Sequence, residues 1–165
     1  LSWRVFFNIT PDLGKTWKKV GPLNNGWTCP AIQPTVLVHA DGRLQALCRS
    51  PRRRIMQAWS RDDGRTWSKM RPSDLPNPNS GIDAVTLSDG RHLVGYNHSS
   101  TDARFPLSVA VSSDGEEWKM VMVLESEFGK FSYPAVIQTS DGKVHVTYSC
   151  NRLSIKHVVL DPAQF

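Results

Sequence analysis

The sequence predicts an all-β fold, a β-propeller whose blades repeat about every fifty residues. Two observations predict it. A β-rich run, an Asp-Gly pair and a second β-rich run recur three times, and a separate Asp/Gly/Trp motif recurs out of phase with them. A third observation is negative: no segment has convincing helical periodicity.

The first repeated element runs Gln33-Pro-Thr-Val-Leu-Val-His-Ala-Asp-Gly-Arg-Leu-Gln-Ala-Leu-Cys. Its second copy begins Ile82-Asp-Ala-Val-Thr-Leu-Ser-Asp-Gly, and its third begins Tyr133-Pro-Ala-Val-Ile-Gln-Thr-Ser-Asp-Gly. Asp-Gly between two β-rich runs predicts a two-residue hairpin turn of type I′, with positive φ at both central residues. The pairs begin at Asp41, Asp89 and Asp141.

The second element reads Thr10-Pro-Asp-Leu-Gly-Lys-Thr-Trp17 and then Ser60-Arg-Asp-Asp-Gly-Arg-Thr-Trp67. A shortened copy is Ser112-Ser-Asp-Gly-Glu-Glu-Trp118. The pattern Ser/Thr-x-Asp-x-Gly-x-Thr-Trp has a local logic. The carboxylate accepts turn N–H groups, the glycine takes positive φ, and the indole is expected to bury itself between sheets.

Two hairpins per repeat make a four-stranded blade. The chain is expected to hold the outer half of one blade (1–28) and further blades at 29–80, 81–131 and 132–165. The last strand, Ser154–Leu160, has no Asp/Gly/Trp motif after it. Three and a half blades close poorly on their own, so upstream blades, or a partner supplying them, are expected.

Composition narrows the partners. The formal charge is +5 and the pI about 9.3, which suits an anionic partner: nucleic acid, a membrane surface or an acidic glycan. No motif interleaves aromatic and basic residues as a nucleic-acid groove would, so nucleic acid is the least favoured. No apolar run is long enough to span a bilayer. Cys29, Cys48 and Cys150 have apolar neighbours and lack metal or disulfide spacing, so they read as core thiols. No metal or cofactor is expected. The chain opens on Leu1 without a secretory pattern; it is expected to be part of a longer protein, and its compartment cannot be read.

The Asp/Gly/Trp motif on a fifty-residue blade resembles the Asp box, or BNR repeat, of the sialidase (neuraminidase) superfamily. That resemblance implies the C-terminal part of a six- or seven-bladed sialidase-like β-propeller. Members bind the carboxylate of sialic acid through three arginines from different blades, because a planar fork of donors matches a carboxylate. Arg49 ends a strand after an Asp-Gly hairpin, as the second family arginine does. Arg104 follows an Asn/Ser-rich loop and precedes an Asp box, as the third does. Tyr133, in Phe131-Ser-Tyr-Pro-Ala-Val, takes the place of the tyrosine nucleophile. Where members carry an activating glutamate, counting back from Asp41 gives Val38, and a carboxylate earlier on that strand falls on Gln33. The first arginine and the acid/base aspartate are expected upstream.

Gln33-Pro-Thr, Leu75-Pro-Asn-Pro-Asn-Ser-Gly-Ile-Asp83 and Phe131–Val136 also resemble a subgroup of predicted neuraminidases. Some relatives of that subgroup are lyases acting on a glucuronate-linked rhamnose. Such chemistry needs cations for the uronate, met by Arg49 and Arg104, and a base, met by Tyr133 or a histidine.

The remaining candidates are weaker. Asp83 is an isolated carboxylate in Ser-Gly-Ile-Asp-Ala-Val and needs a partner, either a sugar hydroxyl or an arginine. Asn77 and Asn79 either bind sugar hydroxyls or shape a proline-rich loop. Gln33 opens a blade. His98 shares a loop with Arg104, whereas His39, His92, His145 and His157 read as structural. Arg52, Arg53 and Arg54 read as a solvated run. The expected function is a sialidase-type enzyme removing a terminal acidic sugar from a glycan or oligosaccharide. A uronate lyase and a non-catalytic glycan-binding propeller stay open.

Overall fold

A computed structural model describes residues 2–165. Among the described residues thirteen strands form four antiparallel sheets in chain order. The first sheet pairs β1 (Phe7–Ile9) with β2 (Lys18–Val20). The second holds β3 (Ile32–Val38), β4 (Leu44–Arg49), β5 (Arg54–Ser60) and β6 (Arg71–Pro76). The third holds β7 (Asp83–Thr86), β8 (His92–Asn97), β9 (Leu107–Ser112) and β10 (Lys119–Glu125). The fourth holds β11 (Phe131–Gln138), β12 (Val144–Cys150) and β13 (Ser154–Leu160), followed by one 3-10 turn at Pro162–Gln164. Each sheet is a simple meander, as propeller blades are.

The Asp-Gly hairpins form, but not with the expected turn. Only the glycines carry positive φ, at 81° for Gly42, 89° for Gly90 and 82° for Gly142. The Gly42 N–H donates to the His39 carbonyl, and the His39 N–H donates to the Arg43 carbonyl. That is a three-residue loop, a tight turn closed by a left-handed glycine. The same pair of bonds recurs at Leu87–Arg91 and Thr139–Lys143. The aspartate's task is to accept the N–H beyond the glycine, at 3.1 Å for Arg43, 3.0 Å for Arg91 and 3.2 Å for Lys143. The type I′ turn occurs instead between β12 and β13, where Asn151 and Arg152 have φ of 54° and 61°.

The Asp boxes close as expected. Asp62 accepts the Thr66 N–H at 2.8 Å and the Thr66 hydroxyl at 2.7 Å, and the Trp67 indole donates to the Gly64 carbonyl at 2.9 Å. Asp12 repeats each bond with Thr16, and Trp17 repeats it with Gly14. In the short copy Asp114 accepts the N–H groups of Glu116 and Glu117. Those N–H bonds hold all three carboxyls below their usual range.

Three apolar seams join the sheets. Val5, Ala46, Cys48, Met56 and Met70 lie between the first and second sheets, where Trp67 stacks on Phe7 at 4.9 Å. Leu37, Leu47, Ile55, Val94 and Tyr96 lie between the second and third, with Trp118 against them. Leu93, Leu107, Val136, Val146 and Leu160 lie between the third and fourth. Burial pushes the Cys48 thiol up to about 12, as expected of a core thiol, whereas Cys29 and Cys150 are half-buried. One expectation fails: Trp17 is 62% exposed, not core. Trp67 and Trp118 each lie on the preceding sheet, and no described residue offers Trp17 such a surface.

The inner strands β3, β7 and β11 lie side by side, so the three sheets converge along one axis. Polar side chains bind them. Asp83 takes the Thr35 hydroxyl at 2.9 Å on one side and the Val136 N–H at 2.8 Å on the other. Thr86 bonds the Val38 backbone, and Gln138 accepts the Ser88 N–H. The Asp-Gly turns and Asp boxes gather at one end of these strands, the hairpin end. The loops after β4, β6, β8, β10 and β12 gather at the other.

Near the hairpin end a chain of polar groups crosses the seam between the second and third sheets. His92 lies 3.0 Å from Thr86 Oγ1 and 3.0 Å from His39 Nδ1. His39 reaches Gln45, whose amide donates to Gln57 and to the Gly115 carbonyl at 2.7 Å each. Burial, then the neighbouring His39, pushes His92 down to about 4, and burial also lowers His39. Both rings are therefore neutral at pH 7.

Candidate functional site

The site is built at the loop end, around a position shared by three sheets. Gln33, Gly81 and Tyr133 each stand eight residues before the aspartate of an Asp-Gly turn, at Asp41, Asp89 and Asp141. Gln33 and Tyr133 both have φ of 54° and both precede a proline. The left-handed region is unfavourable for a side-chain-bearing residue, and a following proline restricts it further. Each interrupts its ladder with a register shift, between Ile32 and Pro34 and between Ser132 and Ala135. Such strain persists where the surroundings enforce it, and it is common at sites that must aim a side chain. Gly81 is the counterpart without a side chain. A Cβ there would stand 2.9 Å from Cδ1 of the Tyr133 ring, so only glycine lets that ring lie across the loop.

Arg49 ends β4 and is half-buried. Its Nε donates to Asn79 Oδ1 at 2.9 Å and its Nη1 to Gln33 Oε1 at 3.2 Å, while the guanidinium lies 5.5 Å from the centre of the Trp3 ring. Two of its five donors are committed to neutral partners, which leaves the rest of the fork for an anion. Asn79 is itself left-handed, with φ of 60°. Asn77 is fully buried and bonds Ser80 in both directions, so it shapes the loop that presents Asn79.

Arg104 lies over the Tyr133 ring, 5.9 Å from its centre, and its carbonyl accepts the Phe131 N–H. Tyr133 is 55% exposed, and its hydroxyl has no hydrogen-bond partner among the described residues. The loop at 77–81 connects the two halves: Asn79 touches Arg49, and Gly81 lies against Tyr133. His98 is exposed and hydrogen-bonds the Tyr96 hydroxyl.

Five of the six singled-out residues are thus linked by a chain of contacts that runs through the 77–81 loop: Gln33, Arg49, Asn79, Tyr133 and Arg104. Asp83 is two residues from Gly81, but both its oxygens are occupied by Thr35 and Val136. Val38, the position reached by counting back for a carboxylate, sits at the hairpin end, roughly 16 Å along the strand from Gln33. Gln33, and not Val38, is the strand residue at this site.

Sequence reasoning missed Trp3, Gly81 and the Arg53–Asp102 ion pair of 2.6 Å that straps two loops together. Gly81 could have been found by aligning it with Gln33 and Tyr133 in the repeat. Among the described residues no group of histidines, cysteines and carboxylates is arranged to hold a metal ion, and no helix is long and apolar enough to cross a membrane.

Residues 1–146 match the BNR repeat-like domain family. Among solved structures, the NanB sialidase of Streptococcus pneumoniae superposes with a TM-score of 0.81 at 18% identity, covering 99% of this chain and 28% of that one. The intramolecular trans-sialidase of Ruminococcus gnavus gives 0.79 at 19% identity, over 99% of this chain and 39% of that one. The leech intramolecular trans-sialidase gives 0.79 at 18% identity, over 99% and 28%. No curated protein matches. The chain spans well under half the length of these structures, and at such identities the likeness shows the fold alone. With its Asp boxes, its meander sheets around one axis and this family match, the chain belongs to the BNR repeat-like domain family and has the fold of a sialidase-like β-propeller.

Proposed function

We propose that this chain supplies much of the acidic-sugar site of a sialidase-type carbohydrate-active enzyme, which removes a terminal acidic sugar from a glycan. The observation that carries the reading is the pairing of two sets: Arg49 held by Gln33 and Asn79, and Arg104 over the strained Tyr133. The guanidinium groups would clamp the carboxylate, and Tyr133 would attack or contact the sugar ring. Asp83 would position β3 and β11 and would not touch the sugar. The solved leech relative is complexed with 2,7-anhydro-Neu5Ac, prepared by soaking with 3'-sialyllactose.

A second reading rests on Gln33. The family's carboxylate place is an amide here, and it is engaged with Arg49. No described carboxylate reaches the Tyr133 hydroxyl, which favours a propeller that binds the acidic glycan without cleaving it.

The test uses the full-length protein carrying this chain. Turnover of a fluorogenic sialoside and of a rhamnosyl-glucuronate glycan is measured beside equilibrium binding, for wild type, Arg49→Ala and Tyr133→Phe. Arg49→Ala is expected to weaken binding about a hundredfold, the worth of about 3 kcal/mol of charge-assisted hydrogen bonding. Tyr133→Phe is expected to abolish turnover and leave binding intact. Binding without turnover in wild type selects the second reading. Undiminished binding by Arg49→Ala refutes both.

A further inference from the structure

We propose that the cleft beside Arg104 is a second anion-recognising subsite, which takes the saccharide next to the one clamped by Arg49 and Arg104 and requires that unit to be acidic. The inference rests on the reading of those arginines as carboxylate ligands, and it adds the substrate class: an oligosaccharide with anionic groups on two successive units.

The cleft has a volume of about 500 Å³ and lies between three loops at the site end, those following β8, β10 and β12. Such a volume falls within the range of small-ligand sites. Three cations line it, Arg104, Lys130 and Arg152. None of them pairs with a carboxylate among the described residues, although seven other basic residues do. The sole carboxylate on its wall, Asp102, is neutralised by Arg53 at 2.6 Å. The cleft is therefore a local concentration of uncompensated positive charge, which favours an anionic occupant.

Two aromatic rings line it as well. Phe105 and Phe128 meet edge to face at 5.3 Å, and Phe128 is 90% exposed. A large apolar ring left in water offers its face to the C–H groups of a pyranose. The walls are pinned together. The Lys130 N–H donates to Asn151 Oδ1 at 2.8 Å, and the Asn151 N–H returns a bond to the Lys130 carbonyl at 2.9 Å. Arg152 follows in the left-handed conformation, with φ of 61°, at the tip of the type I′ turn. The backbones bearing Lys130 and Arg152 are thus held side by side by the chain's own hydrogen bonds. Arg104 belongs to both places, lining the cleft and lying over Tyr133. One ligand can therefore span them.

The test measures equilibrium binding of sialyllactose and disialyllactose to the full-length protein. Wild type is expected to bind disialyllactose about tenfold more tightly, a preference that shrinks as salt screens the cleft. A Lys130→Gln/Arg152→Gln variant, altered only at exposed side chains, is expected to lose the preference while holding sialyllactose within about twofold. Phe128→Ala should weaken disialyllactose selectively. Arg49→Ala should weaken both ligands. A preference that survives in the double variant, or one absent from wild type, overturns the proposal. If Arg49→Ala leaves sialyllactose binding unchanged, the primary site has been misread, and the subsite stands only if disialyllactose binding still depends on Lys130 and Arg152.

Discussion

At the hairpin end each aspartate of the Asp-Gly turns and Asp boxes is satisfied by its own close neighbours. At the loop end Arg104, Lys130 and Arg152 pair with no carboxylate among the described residues, and Gln33, Asn79 and Tyr133 are held at positive φ. The same three inner strands run between the two ends, so the contrast is not one of fold. One end spends its polar groups on closing the chain, and the other keeps them open for something else. Strain and uncompensated charge are tolerated at the loop end because the seams and the hairpin end hold the sheets together.

The largest effect expected at the hairpin end is on acid stability. The unfolded value for His92 is near 6.5 and the folded value about 4, so below pH 6.5 the unfolded chain binds a proton that the fold refuses. Stability is full above that point and erodes as pH falls toward 4, by roughly 3 kcal/mol before levelling off. Denaturant unfolding of wild type and His92→Gln across that window reads the difference; equal slopes would show that the buried histidine chain does not govern acid stability.

The three Asp-box tryptophans sharpen the contrast between a covered and an uncovered sheet. Trp67→Ala removes the stack on Phe7 and is expected to lower unfolding free energy by about 2 kcal/mol. A change of less than about 0.5 kcal/mol would mean that this seam is held by the aliphatic residues alone.

At the loop end Gly81→Ala pushes a methyl against the Tyr133 ring. It should lower acidic-glycan binding or turnover by about tenfold while leaving thermal unfolding nearly unchanged. Loss of stability in place of loss of function would make Gly81 a packing residue only.

The smallest effect is expected for Trp17→Ala in the isolated chain, within about 0.5 kcal/mol, because the ring is 62% exposed. A cost matching that of Trp67→Ala would show that another surface covers Trp17 in solution.

Much of the hairpin end was legible in the sequence because the bonds that close its Asp-Gly turns and Asp boxes join residues at most four positions apart. Asp62 with Thr66, and Asp89 with Arg91, are spelled out by spacing alone. Even there the turn type was misjudged: Asp-Gly suits both a two-residue and a three-residue loop, and the choice depends on strand register. The loop end was legible only as residue types at repeat positions. That Gln33 and Asn79 grip Arg49 depends on how strands and loops within the second sheet align, and that Tyr133 lies against Gly81 depends on how one repeat packs on the next.

By itself the sequence determined the all-β meander, the period of about fifty residues and the closure of each Asp box, because these follow from local hydrogen bonding and side-chain alternation. Only the tertiary structure decided which charges go unpaired, which tryptophan stays in water and which side chains share a surface. Those outcomes depend on groups far apart in the chain, whose distances are set by the packing of one sheet on the next.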